Sequence, residues 1–226
     1  MTMRSGNEEK RAIAIDGPTG AGKSTVAKEL AKVLNFMYVD TGAMYRAVAL
    51  YCINNNIDTL NEDEVLKHLE KIDVALKIID GVQNVFLNGE NVSGLIRTQE
   101  VSEHTSRVST IKAVRQRLVT LQREIAKNNN VVMDGRDIAS VVLPNAALKI
   151  FLTASVSSRT LRRIEDLKLL GKYTDYETIK AEIEKRDFRD STREVDALRQ
   201  TEDAVLIDSS NMNLEEVVSK IITLLN

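Results

Sequence analysis

An α/β fold, with a five-stranded parallel sheet between layers of helices, is predicted by three features of this sequence. Short, almost wholly apolar segments recur at 12–15, 36–39, 131–133, 148–152 and 204–207. Strands buried on both faces read this way, and parallel sheets are built from such strands. Amphipathic helical patterns fill the intervals between them, the arrangement of a doubly wound sheet. Finally, 226 residues with two prolines and no repeat period correspond to one large domain, or one domain carrying an insertion.

The elements follow in order. Residues 1–11 are polar and mixed in charge, and are expected to be a disordered extension. After the strand at 12–15 comes a helix whose stripe is Val26, Leu30, Val33 and Leu34. The strand at 36–39 runs into Asp40, a helix-capping residue type, and a second helix. From 58 to 101 the rhythm breaks. Two short strands, 74–79 and 84–87, are accompanied by the pairs Asp80-Gly81 and Asn88-Gly89, which tolerate the positive φ angles of tight hairpin turns. Hairpins cannot belong to a parallel sheet, so this stretch is expected to be an inserted lobe. Ile111, Val114, Leu118, Leu121 and Ile125 then mark a long helix, and Leu214, Val217, Val218, Ile221, Leu224 and Leu225 mark the last one.

Composition excludes several classes. Apolar residues at 43% and charged residues at 28% are ordinary for a globular chain, and a net charge of 31 − 33 = −2 lacks the basic excess of a nucleic-acid binder. One cysteine, Cys52, cannot close an internal disulfide, so a cytoplasmic location is the expectation. No apolar run approaches the roughly 18 residues of a membrane span, and no signal-peptide core is present. A monomer is the default.

Chemistry enters directly after the first strand. Gly17-Pro18-Thr19-Gly20-Ala21-Gly22-Lys23-Ser24, followed by Thr25 and a helix, fits G-x-x-x-x-G-K-[ST], the P-loop. Glycines allow a tight wrap that turns backbone N–H groups inward, and the helix N-terminus adds positive potential. Lys23 would bridge the β- and γ-phosphates of a nucleoside triphosphate, and the Ser24 hydroxyl would face Mg²⁺. Asp134 ends a buried strand and is suited to holding the same ion. Gly135 follows it, where many hydrolysing P-loop ATPases place a glutamate, and neither N-K-x-D nor D-x-x-G occurs. The triphosphate is therefore expected to be a phosphoryl donor.

A donor needs an acceptor site. Asp40-Thr41-Gly42-Ala43-Met44-Tyr45-Arg46 follows the second strand and Gly135-Arg136-Asp137 follows Asp134. Carboxyl ends of parallel strands gather at one edge, which brings Arg46 and Arg136 to the mouth of the phosphate loop. Guanidinium groups bind phosphate bidentately. Arg159, Arg162 and Arg163 open one later helix, and Arg186, Arg189 and Arg193 lie at helical spacing on another. On its own that cluster reads as a solvated face of i,i+4 pairs; beside two anion sites it reads as a lid whose arginines neutralise the transferring group and exclude water.

These motifs together resemble the bacterial cytidylate kinases. The resemblance runs from about Ile13 to the C-terminus on Gly17-Pro18-x-Gly20-Ala21-Gly22-Lys23-Ser24, Asp40 to Arg46, Asp134-Gly135-Arg136-Asp137-Ile138 and Arg186-Asp187-x-x-Asp190-Ser191-x-Arg193. It implies transfer of the γ-phosphate of ATP, with Mg²⁺, to CMP and dCMP, on a P-loop fold with an acceptor-binding insertion and a helical lid. The implied division is a core of 12–57, 102–157 and 195–226, an insertion at 58–101 and a lid at about 158–194. Catalysis would fall to Lys23, Arg136 and Arg186. The acceptor nucleotide would be lined by Thr41, Arg46, Ser106, Arg115, Arg136, Asp137, Arg186, Asp190 and Arg193, with Ser106, Arg115 and Asp137 around cytosine. A carboxylate accepts from the cytosine N4 amine but opposes the O4 of uracil. Two stretches depart from the family pattern. Ala139-Ser140 stands where Gly-Thr is common, and Asp196-Ala197-Leu198 where a proline commonly precedes the leucine. The other readings are a P-loop kinase for a different small acceptor and a nucleotide-dependent switch.

Overall fold

The structure is a computed structural model, and it describes residues 10–225 apart from 80, 81 and 170. Its central sheet has five strands, all parallel, in the order β2-β6-β1-β7-β8. These are β1 Ala12–Asp16, β2 Met37–Asp40, β6 Val131–Gly135, β7 Leu148–Thr153 and β8 Val205–Asp208. Central β1 has Ile13, Ala14 and Ile15 essentially inaccessible, as continuous apolar strands require. Residues 1–9 of the expected extension lie outside the described residues. Arg11 is already tied to the sheet, since its N–H donates to Asn130 Oδ1 (2.8 Å) and its carbonyl accepts from Val131 (2.9 Å).

One face of the sheet is covered by α1 (Lys23–Leu34) and α8 (Leu214–Thr223), where Ile13, Ile15, Leu30, Ile150, Val218 and Ile221 share a core. The buried side of α1 is Val26, Ala27, Leu30 and Ala31; Val33, expected in the stripe, is 54% exposed. Contact with the sheet at two adjacent pairs one turn apart leaves Val33 on the rim. The opposite face packs α5 (Lys112–Asn128) and a π-helical turn, Ile138–Val142, against Ala14, Val39 and Met133.

The stretch that broke the rhythm forms its own antiparallel sheet, β3 (Val74–Ile79), β4 (Val82–Leu87) and β5 (Glu90–Asn91). The Asp80-Gly81 turn lies outside the described residues. Asn88-Gly89 turns β4 into β5 with φ of 49° and 85°, the left-handed pair that a tight hairpin needs. This small sheet shares a core with α2 (Thr41–Asn54), α4 (Gln99–Val108) and α5, through Val85, Leu87 and Ile96 on one side and Met44, Val48 and Val114 on the other. Two short helical segments, α3 (Glu62–His68) and a 3-10 turn at Leu69–Lys71, lead into it. The helical hairpin α6 (Val156–Leu169) and α7 (Tyr176–Thr192) stands between β7 and β8. Among the described residues no helix is long and apolar enough to cross a membrane.

Candidate functional site

Parallel register decides which side chains meet. Ile15 lies beside Asp134, Asp40 beside Asp134, and Asp16 beside Gly135, so three strands end in carboxylates at one sheet edge. The chain leaves β1 through Gly17, whose φ is 150° and whose Cβ, if present, would lie 1.9 Å from the Leu152 carbonyl oxygen. Only glycine lets the loop start that close to β7. The loop closes on Gly22 (φ 87°), which caps α1, and no acidic residue occupies the first turn of that helix. The helix end and its amides are thus left positive, as an anion cradle requires.

Lys23 is buried and donates to the carbonyl of Pro18 (2.7 Å), within its own loop. Burial, with the Arg136 and Arg186 guanidiniums nearby, holds its ammonium well below the usual lysine range. The Ser24 hydroxyl donates to Asp134 Oδ2 (2.8 Å), and the Tyr38 hydroxyl to Asp134 Oδ1 (2.9 Å). Burial and the Asp40 carboxylate raise Asp134 above the ordinary carboxylate range. Ser24 and Asp134 are hard oxygen donors side by side, a set that fits Mg²⁺, which binds through one or two protein oxygens and keeps several waters.

The arginines expected to form a second anion site lie across the edge. The Asp40 carboxylate caps α2 by accepting from Ala43 N–H (2.9 Å) and also holds Arg46 (2.7 Å). Arg46 Nε is buried and makes no hydrogen bond to any described residue. An unmet guanidinium N–H is costly in a folded protein and suits an oxyanion. Arg136 is paired with Asp190 of α7 (2.7 Å). Although burial opposes it, Arg136 holds the Asp190 carboxyl below its ordinary range. Arg186 is solvent-exposed at the mouth, and crowding by the surrounding chain with the Arg136 and Arg46 guanidiniums nearby lowers it from the usual arginine range. Arg136 is a common cause of the lowered Lys23 and Arg186, the pattern of cations gathered where an anion would bind. Sequence reasoning missed Arg97, which reaches Asp40 from the small-sheet lobe (3.3 Å).

The third group is a buried ion cluster. Arg115 pairs with Asp137 through one nitrogen, donates from Nε to Asp196 (2.7 Å) and from Nη1 to the Ser109 carbonyl (3.1 Å). Arg193 lies 3.6 Å from Asp137. Burial raises the Asp137 carboxyl, against the pull of Arg115 and Arg193. Ser106 is one step removed: its hydroxyl bonds back to Ser102 (3.2 Å), and its carbonyl accepts from Ser109. Thr41 donates to the Asp134 carbonyl (2.7 Å), locking α2 to β6.

Some arginines of the stretch expected to form a lid are committed elsewhere. Arg159 is buried, donates to the carbonyls of Ala154 (2.9 Å) and Thr19 (3.0 Å), and pairs with Asp187. Arg162 donates to the Ser209 carbonyl (2.5 Å). Both brace the phosphate loop and the end of β8, and Asp187 extends the brace by accepting from Thr19 N–H (3.2 Å).

Asp16 was also missed, although it is a carboxylate ending a buried strand just as Asp134 is. It accepts from the N–H groups of Ile138 (2.9 Å) and Ala139 (2.8 Å), fixing the turn that presents Asp137. Burial pushes it from 3.8 up to about 6, with the two amide bonds working the other way. The native state therefore binds this proton more tightly than the unfolded chain, and ionising Asp16 costs stability. Relative to Asp16→Asn, the wild type is expected to lose stability as pH rises from 3.8 through about 6 and then to level off. Denaturant midpoints measured across that window check this; parallel curves for the two proteins would contradict it.

Comparison with known proteins places the chain in a family. The family model described as cytidylate kinase matches residues 13–226. The cytidylate kinase of Caldicellulosiruptor bescii is 50% identical over 216 residues, covering 96% of each chain. That of Caldanaerobacter subterraneus subsp. tengcongensis is 51% identical over 209 residues, 92% of each. Among solved structures, an uncharacterized protein from Eubacterium ventriosum superposes with a TM-score of 0.53 at 15% identity, covering 96% of this chain and 98% of that one, a likeness of fold alone. With the family model and relatives about half identical matching along nearly its whole length, this chain belongs to the cytidylate kinase family.

Proposed function

We propose that this protein transfers the γ-phosphoryl group of ATP to CMP and dCMP, yielding CDP and dCDP. The observation that carries this reading is the buried Arg115–Asp137–Arg193 cluster beside the mouth that gathers Arg46, Arg136 and Arg186, within a chain of the cytidylate kinase family. The loop from Gly17 to Thr25 wraps the phosphates of the donor. Lys23 exchanges the Pro18 carbonyl for a phosphate oxygen, a gain because its hydrogen bond then goes to a charged partner rather than a neutral carbonyl. Ser24 and Asp134 hold Mg²⁺, which when bound neutralises charge on the phosphates.

The acceptor phosphate is oriented by Arg46, Arg136 and Arg186. It is already ionised, so no general base is needed and the task is alignment and charge stabilisation. Asp137 accepts from the cytosine N4 amine, Arg115 and Ser106 donate to N3 and O2, and Asp190 and Arg193 close over the nucleotide from the helical hairpin. Thr41 keeps α2, and with it Arg46, in register with β6. In this reading 58–101 is the acceptor-binding insertion and about 158–194 the lid. Chromatography after incubation with Mg·ATP and CMP is expected to show CDP and ADP in equal amounts. ADP formed without CDP would overturn the reading in favour of hydrolysis.

A further inference from the structure

The pocket cluster contains one carboxylate that the proposed chemistry leaves unused. Asp196 stands where the helical hairpin returns to the core, in a left-handed backbone conformation (φ 53°) that aspartate tolerates better than most residues. Its side chain accepts from Arg115 Nε (2.7 Å), and its carbonyl accepts from Arg193 Nε (2.7 Å). Arg115 is itself almost wholly inaccessible, at 3% of its side-chain surface. The cluster thus contains two cations, Arg115 and Arg193, and two anions, Asp137 and Asp196.

That balance matters when a base arrives. If Asp137 turns to an N4 amine, Arg115 surrenders its link to Asp137 while remaining buried. A buried guanidinium without a partner is strongly unfavourable, and a second carboxylate removes that cost. Without Asp196, Asp137 would be the one carboxylate paired with Arg115 among the described residues, and the base would have to compete with Arg115 for it.

We propose that Asp196 is a positioning residue for acceptor-base recognition: it is the standing counter-charge that keeps Arg115 in place and frees Asp137 to bind the base. The inference rests on the base-pocket reading of Arg115 and Asp137. It concerns the stretch where this chain departs from the proline-containing pattern of its family, and it links the return of the lid hairpin to the pocket through both arginines.

The test is steady-state kinetics of Asp196→Asn, which keeps the left-handed tolerance and removes the charge. KM for CMP is expected to rise about tenfold, the loss of one charge-assisted hydrogen bond. The values of kcat and KM for ATP should each stay within about twofold to threefold, because the phosphate loop is intact, whereas the preference for CMP over UMP should fall along with CMP affinity, because Arg115 then holds the carboxylate that reads N4. An unchanged KM for CMP, or equal losses for ATP and CMP, would overturn the proposal. Asp196→Gly guards against a folding defect, since glycine relieves the backbone while deleting the carboxylate. It should melt no lower than Asp196→Asn and show the same rise; a normal KM for CMP in the glycine variant would also overturn the proposal. A wild-type protein that leaves CMP untouched would instead remove the base-pocket reading underneath it.

Discussion

Lys23→Ala is expected to lower kcat by about three orders of magnitude while leaving the protein at least as stable as the wild type. The size follows from removing a fixed charge aimed at the transferring phosphoryl group, where single cationic contacts in phosphoryl transfer are worth about 10³ or more. Stability is expected to respond in the opposite direction from most core substitutions. Lys23 is 6% exposed, its hydrogen bond goes to the uncharged Pro18 carbonyl, and burial holds its ammonium well below the usual range. A cation whose folded pKa is depressed opposes folding at every pH below that pKa, so its removal should keep or raise the melting temperature. Melting curves and initial rates on the same preparations separate the two effects. A near-normal kcat would show that the cradle formed by Gly17 to Thr25 is not where the phosphoryl group is transferred.

Asp137→Asn is expected to reduce the preference for CMP over UMP by about a hundredfold or more, because a site built to hydrogen-bond one group rejects an analogue that leaves it unpaired. The asparagine amide could donate to the O4 of uracil, where the carboxylate can only accept. The same change costs stability, since Arg115 and Arg193 both lean on Asp137 and would be left with Asp196. Breaking a buried pair from one side typically costs about 3–5 kcal/mol. Relative kcat/KM for the two nucleotides, measured below the lowered melting temperature, checks the prediction. An unchanged ratio would move base recognition away from Asp137.

The sheet was legible because its signal is local. Each of the five apolar segments became a parallel strand within about two residues at either end, since burial on both faces leaves no room for alternation. The antiparallel lobe was equally legible from its turn chemistry, as Asn88-Gly89 shows. Helix faces were less secure: Val33 has the spacing of a core residue yet sits on the rim, because which apolar residues are buried depends on where the sheet touches the helix.

Motif residues were legible because glycine, lysine and arginine at fixed spacing carry their chemistry with them. The residues that orient them were not. Asp16 fixes a turn 122 residues away, Asp196 reaches Arg115 across 81 residues, and Tyr38 reaches Asp134 across 96. No periodicity records such contacts. The arginines of the helical hairpin illustrate the converse: Arg159 reads as a surface cation in a helical run, and folding buries it against the loop after β1.

In the proposed reaction one sheet edge joins a triphosphate cradle to a cytosine-reading acceptor site. ADP release from Mg·ATP, with CMP, dCMP, UMP, AMP and dTMP offered separately, tests it most directly. Turnover confined largely to CMP and dCMP is the predicted result. Release that is insensitive to the acceptor, or greatest with UMP or AMP, would contradict it.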